Sequence, residues 1–138
     1  MNDVFKRYQE FVNGVTSEDS LSTDAFLTRI QELEKVIPFA KMDTACSGVA
    51  GEAGEINDLW KKVKFHGKPW NEDNRNKMMD ELGDMFWYLS HLMECLETNP
   101  EEIIKRNIHK LESRYPGGKF SIERSENRDR ESDPTYEE

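Results

Sequence analysis

Long apolar runs are missing from this chain. No window approaches the roughly 18 to 20 consecutive apolar residues of a membrane-spanning helix, so the sequence carries no expectation of a membrane partner. Its start, Met1-Asn2-Asp3-Val4, has neither the basic opening nor the apolar stretch of a secretion signal, and the expected location is cytoplasmic. Cysteine is scarce as well. Cys46 and Cys95 stand alone, with no CxxC and no Cys/His cluster, which suits a reducing compartment and leads us to expect two buried thiols. Positive charge is in deficit: 19 Lys and Arg face 28 Asp and Glu, a net charge of −9. A surface of that sign repels polyphosphate backbones, so DNA and RNA polymers are poor partners. A small anionic substrate stays open, because a bound divalent cation reverses the sign of an acidic pocket. Hydrophobic residues make up 36% of the 138 and charged residues 34%, enough for the modest core of one domain under a very polar surface.

Proline and glycine are also few, at five and eight, and the stretches between them repeat their apolar residues at helical spacing. The pattern predicts an all-α protein, an antiparallel bundle of about five helices. Val4, Phe5, Tyr8, Phe11 and Val12 make a first amphipathic helix ending near Gly14, followed by a polar linker from Thr16 to Ser22. A Ser22-Thr23 cap opens a second, with Phe26, Leu27, Ile30, Leu33 and Ile37 on one face before Pro38. The third runs from Phe39 to about Lys64, and the fourth from about Asn74 to Glu97. The fifth starts at Asn99-Pro100-Glu101-Glu102, with Asn as cap, Pro at the first position and Glu102 reaching back to the cap, and ends at Tyr115 before Pro116-Gly117-Gly118. Residues 1–120 are expected to form the domain. From Ser121 to Glu138 there are seven acids, three arginines and one aliphatic residue, so this tail is expected to be disordered.

Two acid pairs stand out. Glu52 and Glu55 are three apart, as are Glu81 and Asp84, so each pair shares one face of its helix. Such pairs usually line a solvated surface, but two features argue otherwise here. Gly48, Gly51, Gly54 and Gly83 fall inside the same helices, each at a cost of about 1 kcal/mol relative to Ala. Close approach by another backbone or a ligand is expected there. With the two helices antiparallel, the pairs also come to about the same level, some 13 to 16 Å from the connection at 1.5 Å per residue. Four carboxylates facing one another repel without a cation, and hard oxygen ligands suit Mg2+, with Mn2+ as a substitute.

The EAGE of Glu52–Glu55, then Leu59-Trp60-Lys61-Lys62, His66-Gly67, the ELGD of Glu81–Asp84 leading into Trp87-Tyr88-Leu89, and Asn107-Ile108-His109-Lys110-Leu111 with Arg114-Tyr115-Pro116 resemble the MazG-like all-α nucleoside triphosphate pyrophosphohydrolases over about residues 40–120. That resemblance implies hydrolysis of a nucleoside triphosphate between its α and β phosphorus atoms, giving a nucleoside monophosphate and pyrophosphate. It also implies Mg2+ held by Glu52, Glu55, Glu81 and Asp84, with Glu52 or Glu55 as general base. The chain carries one copy of the domain, not the tandem pair of longer MazG proteins, and adds the charged tail after Phe120.

On the last helix, Asn107, Lys110 and Arg114 share one stripe, and the resemblance implies that they contact the phosphates or sugar of the nucleotide. A solvated basic face near a helix C-terminus is the plain alternative. Lys61 and its neighbours Lys62 and Lys64 could steer the triphosphate, and Trp60 and Tyr88 could stack on the base, with Trp87 in the core. Asp58 continues the first acid stripe as a candidate outer acid. His66, His91 and His109 have no ligand spacing and are expected to be structural. A homodimer or homotetramer is expected, since helices this apolar would leave faces uncovered in so small a chain. Three other functions compete: a phosphoribosyl-ATP pyrophosphohydrolase, a di-iron carboxylate bundle and a non-catalytic helical interaction protein. The second wants Glu-x-x-His, and the third residue on is Asp after both Glu55 and Glu81.

Overall fold

The structure is a computed structural model, and it describes residues 3–126. Among these, seven α-helices and no strands are present: α1 Asp3–Val15, α2 Glu18–Leu21, α3 Thr23–Leu33, α4 Phe39–Phe65, α5 Glu72–Cys95, α6 Pro100–Arg114 and α7 Ile122–Glu126. The all-α class follows as expected, with five longer helices near their expected places and two short ones added. α2 lies inside the stretch expected as linker, where the Ser17 and Ser20 hydroxyls hydrogen-bond at 3.0 Å. α7 takes up five of the first six residues of the tail expected to be disordered, and residues 127–138 lie outside the described ones. The chain divides into two compact units, Met1–Cys95 and Leu96–Glu138.

In the first unit, α4 and α5 form the pair on which the acids sit. Their direction follows from three contacts. Lys41 Nζ pairs with the Glu94 carboxylate, Gly48 lies against Tyr88, and Glu52 meets Glu81 and Asp84, so one number rises as the other falls and the helices are antiparallel. At 27 residues α4 is about 40 Å long. Its start has no side-chain cap from Pro38; instead the Phe39 N–H donates to the Glu34 carboxylate at 3.0 Å. Its end is a turn through Gly67, whose φ of 69° lies in the left-handed region that glycine enters without penalty. That turn brings the Lys68 N–H back to the Lys62 carbonyl at 3.2 Å.

α5 begins at Glu72, earlier than expected from Asn74. Asn71 Oδ1 accepts from the Asn74 N–H at 3.0 Å, so Asn71 acts as the cap. Asn74 is buried, and its Nδ2 donates to the Pro69 carbonyl at 2.7 Å. The connection is thereby tied to the first turn of α5, which fixes where the second acid pair falls along the helix. α5 ends at Cys95, short of Glu97, which adopts a left-handed φ of 52°.

In the second unit, Asn99 caps α6 by accepting from the Glu102 N–H at 3.0 Å, with Pro100 at the first position as expected. Glu102 differs from expectation: its carboxylate accepts from the Thr98 hydroxyl at 2.8 Å. Gly117 and Gly118 adopt positive φ after Tyr115 and turn the chain so that the Phe120 ring packs 5.9 Å from that of Tyr115.

Few side chains are covered. Ala45, Cys95 and Asn74 are the buried ones among the described residues, while Phe11, Phe65, Phe86 and Trp87 are each more than half exposed. Two core expectations are corrected by this. Trp87 lies at the surface, edge-on to His91, and Cys46 is exposed because it sits one residue, about 100° of helix, beyond the buried Ala45. Cys95 is buried as expected. Among the described residues no helix is long and apolar enough to cross a membrane.

Candidate metal centre

Glu52 projects from the middle of α4, and Glu81 and Asp84 project from α5 one turn apart. One carboxylate oxygen from each lies within 4.8 Å of the others. Glu52 and Glu81 are half-buried and Asp84 is exposed, so the group is open to solvent on one side. Glu55, one turn along α4, stands outside this tight group but close enough to act on Glu81.

The clustered acids act on one another. Partial burial holds the Glu81 carboxyl above the usual range, reinforced by the negative charges of Glu55, Glu52 and Asp84 and by a hydrogen bond shared with Glu52. The donor set, three hard carboxylate oxygens from two rigid helices, suits Mg2+ or Mn2+.

The other acid on this stripe has a different role. Asp58 is outside the group; Lys61 Nζ reaches its carboxylate at 2.8 Å and Lys62 binds the second oxygen. Those hydrogen bonds hold the Asp58 carboxyl down at about 2. Lys61, expected on the substrate, is thus occupied at the helix surface, and Lys64 lies over the Phe65 ring at 4.8 Å. Because the folded pKa of Asp58 is depressed, its contribution to stability is present above the unfolded value near 3.8 and lost as pH falls through about 2. Asp58→Asn should therefore lower Tm slightly at pH 6, and the gap to wild type should narrow at pH 2.5 in thermal melts. A substantial drop is not expected, since the pair is solvated.

The aromatic candidates divide. Trp60 is about half exposed and packs edge-on against Trp70, with ring centroids 6.2 Å apart. Tyr88 is half-buried, one turn beyond Asp84, with the Trp87 ring edge-on at 4.8 Å. Asn107, Lys110 and Arg114 lie on α6 in the second unit, Asn107 exposed and the other two half-buried. Of the four helix-interior glycines, Gly48 alone meets the expectation of close approach. Gly51, Gly54 and Gly83 have open space where a β-carbon would stand.

An all-helical chain with facing acid pairs on antiparallel helices is the class that the fold and site define. A family model for the MazG nucleotide pyrophosphohydrolase domain matches residues 41–118, and the chain belongs to that family. The match takes in all four acids and the Asn107, Lys110 and Arg114 stripe. The Gene 37 protein of Mycobacterium phage L5 is 36% identical over 72 residues, which cover 51% of this chain and 63% of that protein. The chain thus spans less than two thirds of that relative's length. No solved structure matches.

Proposed function

We propose that this chain is a divalent-cation-dependent nucleoside triphosphate pyrophosphohydrolase, which converts a ribo- or deoxyribonucleoside triphosphate to the monophosphate and pyrophosphate. The observation that carries this reading is the meeting of Glu52, Glu81 and Asp84 within 4.8 Å, inside the stretch that the family model covers. These three would hold Mg2+ or Mn2+. An ion held there would supply positive charge to the phosphate oxygens and lower the pKa of water beside it.

Glu55 completes the set as general base. It lies near Glu81 but outside the tight group, so its oxygens stay available to a proton. Water attacks the α phosphorus, its oxygen forming the new P–O bond while the bond to the bridging oxygen breaks. The water proton passes to the Glu55 carboxylate and pyrophosphate leaves. No Ser, Cys or His nucleophile is required. Asn107, Lys110 and Arg114 are assigned to the phosphates and sugar, and Tyr88 and Trp60 to the base. Lys61 contributes only if it leaves Asp58 when substrate arrives. In this reading the domain is residues 1–120, of which the family model covers 41–118.

The test is a panel of ribo- and deoxyribonucleoside triphosphates together with phosphoribosyl-ATP, assayed with Mg2+ and with product analysis. Monophosphate and pyrophosphate in equal amounts from a triphosphate support the proposal. Diphosphate with orthophosphate, hydrolysis of phosphoribosyl-ATP alone, or no turnover on the panel would overturn it.

The working form in this reading is a homodimer or homotetramer. A lone chain leaves Phe5, Phe11, Phe86 and Trp87 half exposed or more, a large amount of aromatic surface to keep in water. Sedimentation velocity at micromolar concentration should show a species of at least twice the 16.2 kDa chain, and a monomer alone would refute self-association.

A further inference from the structure

We propose that Gly48 is a positioning residue for the acid cluster: it lets the Tyr88 ring lie directly on the backbone of α4, and this contact sets the separation of α4 and α5 where the carboxylates meet. The proposal rests on the assignment of Glu52, Glu81 and Asp84 as a cation site.

A β-carbon built on Gly48 would overlap Cγ, Cδ1 and Cε1 of Tyr88, whereas one built on Gly51, Gly54 or Gly83 would meet nothing within 4 Å. All four glycines weaken their helices relative to alanine, but only at Gly48 does a neighbouring side chain fill the space left by the missing group. The position is specific. Gly48 is four residues before Glu52 on α4, and Tyr88 is four residues after Asp84 on α5. On both helices the contact therefore lies one turn from a carboxylate, about 6 Å along the axis.

Two further contacts bear on how the pair responds to a disturbance. Beyond Gly48 and Tyr88, away from the acids, Lys41 is paired with Glu94 across the same two helices. That pair is partly solvated and restrains the helices only weakly, so a wedge at Gly48 parts them along a stretch that includes the carboxylates one turn away. The Tyr88 ring also has the Trp87 ring edge-on at 4.8 Å, which limits the directions in which it can swing away. A methyl group at position 48 would need a shift of roughly 1 Å or more to reach ordinary contact distance. Magnesium accepts oxygens only near 2.0 to 2.1 Å in close to octahedral geometry, and a working site tolerates displacements of about 0.5 Å. The carboxylates would thus be carried out of range while both helices remain intact.

The experiment is calorimetric titration of the full chain with Mn2+ alone, without nucleotide, with helical circular dichroism in parallel. Wild type should bind. Gly48→Ala should keep its helical signal and lose affinity about tenfold or more. Gly51→Ala, the same added methyl on the same helix in open space, should bind as wild type does. Gly48→Ala/Tyr88→Ala, which removes the ring that the methyl meets, should recover to within about threefold of Tyr88→Ala. Wild-type affinity in Gly48→Ala, or an equal loss in Gly51→Ala, overturns the positioning role and leaves the cation site standing. Absence of Mn2+ binding by wild type overturns both. If Gly48→Ala loses its helical signal, Tyr88→Ala and the double variant decide: equal affinities support the proposal, and a further loss in the double variant overturns it.

Discussion

Replacing Glu81 by glutamine is expected to raise the Tm of the metal-free protein at pH 7 while lowering pyrophosphate release by on the order of a thousandfold. The two effects have one cause. In the folded chain the Glu81 carboxyl is held above its ordinary value by burial and by Glu55, Glu52 and Asp84. A raised carboxyl contributes stability that is fully present below the unfolded pKa and lost as pH rises through the folded one. As pH rises the metal-free wild type gives up that contribution and takes on the repulsion among the acids. The amide never ionises, so the variant escapes the loss. Mg2+ reverses the ranking, because it stabilises whichever chain binds it. The measurement is Tm for Glu81→Gln and wild type, at pH 5 and pH 7, with and without Mg2+, alongside product release. The variant's metal-free advantage should be larger at pH 7 than at pH 5, and its metal-induced rise should be small. A variant with wild-type turnover and the full metal-induced rise in Tm would remove Glu81 from the site.

Glu81 also illustrates how far sequence alone reaches. Local signals account for part of the arrangement: the i, i+3 spacing puts each pair on one face of its helix, and three of the four acids, Glu52, Glu81 and Asp84, come together while Glu55 stands outside them. Asn99 and Pro100 carry a cap whose chemistry lies within four residues of sequence, and it forms at the expected place. Sequence misleads where the deciding contact is distant, and also where one local spacing can serve two roles. Gly48 and Gly51 look alike in sequence, and only the ring of Tyr88, forty residues away, separates them. Lys61 sits one turn beyond Asp58, a spacing that invites an ion pair as readily as a role toward substrate. Trp87 and Cys46 lie exposed against expectation because helical periodicity identifies apolar faces without saying how many the chain itself covers. The start of α5 comes earlier than its apolar pattern suggests, since Asn71 has the composition of a loop and acts as a cap only through its bond to the Asn74 N–H.

The distinction that spacing leaves open, Glu52 against Glu55, supplies the second large effect. Both glutamates lie on the same face of α4, and a pattern of three cannot say which reaches its neighbours. In the folded chain Glu52 joins Glu81 and Asp84 within 4.8 Å, while Glu55, nearer the C-terminal end of α4, acts on Glu81 through charge from outside that group. If Glu52 is a ligand and Glu55 the base, their amides fail differently. Glu52→Gln should lose both Mn2+ affinity and turnover. Glu55→Gln should keep Mn2+ affinity within about threefold of wild type and lose turnover by about 10² to 10⁴, the usual worth of a general base. Calorimetric titration with Mn2+ and product release at pH 7 on both variants make the comparison. Equal losses of metal affinity in the two would make Glu55 a fourth ligand and leave the proton to another acceptor.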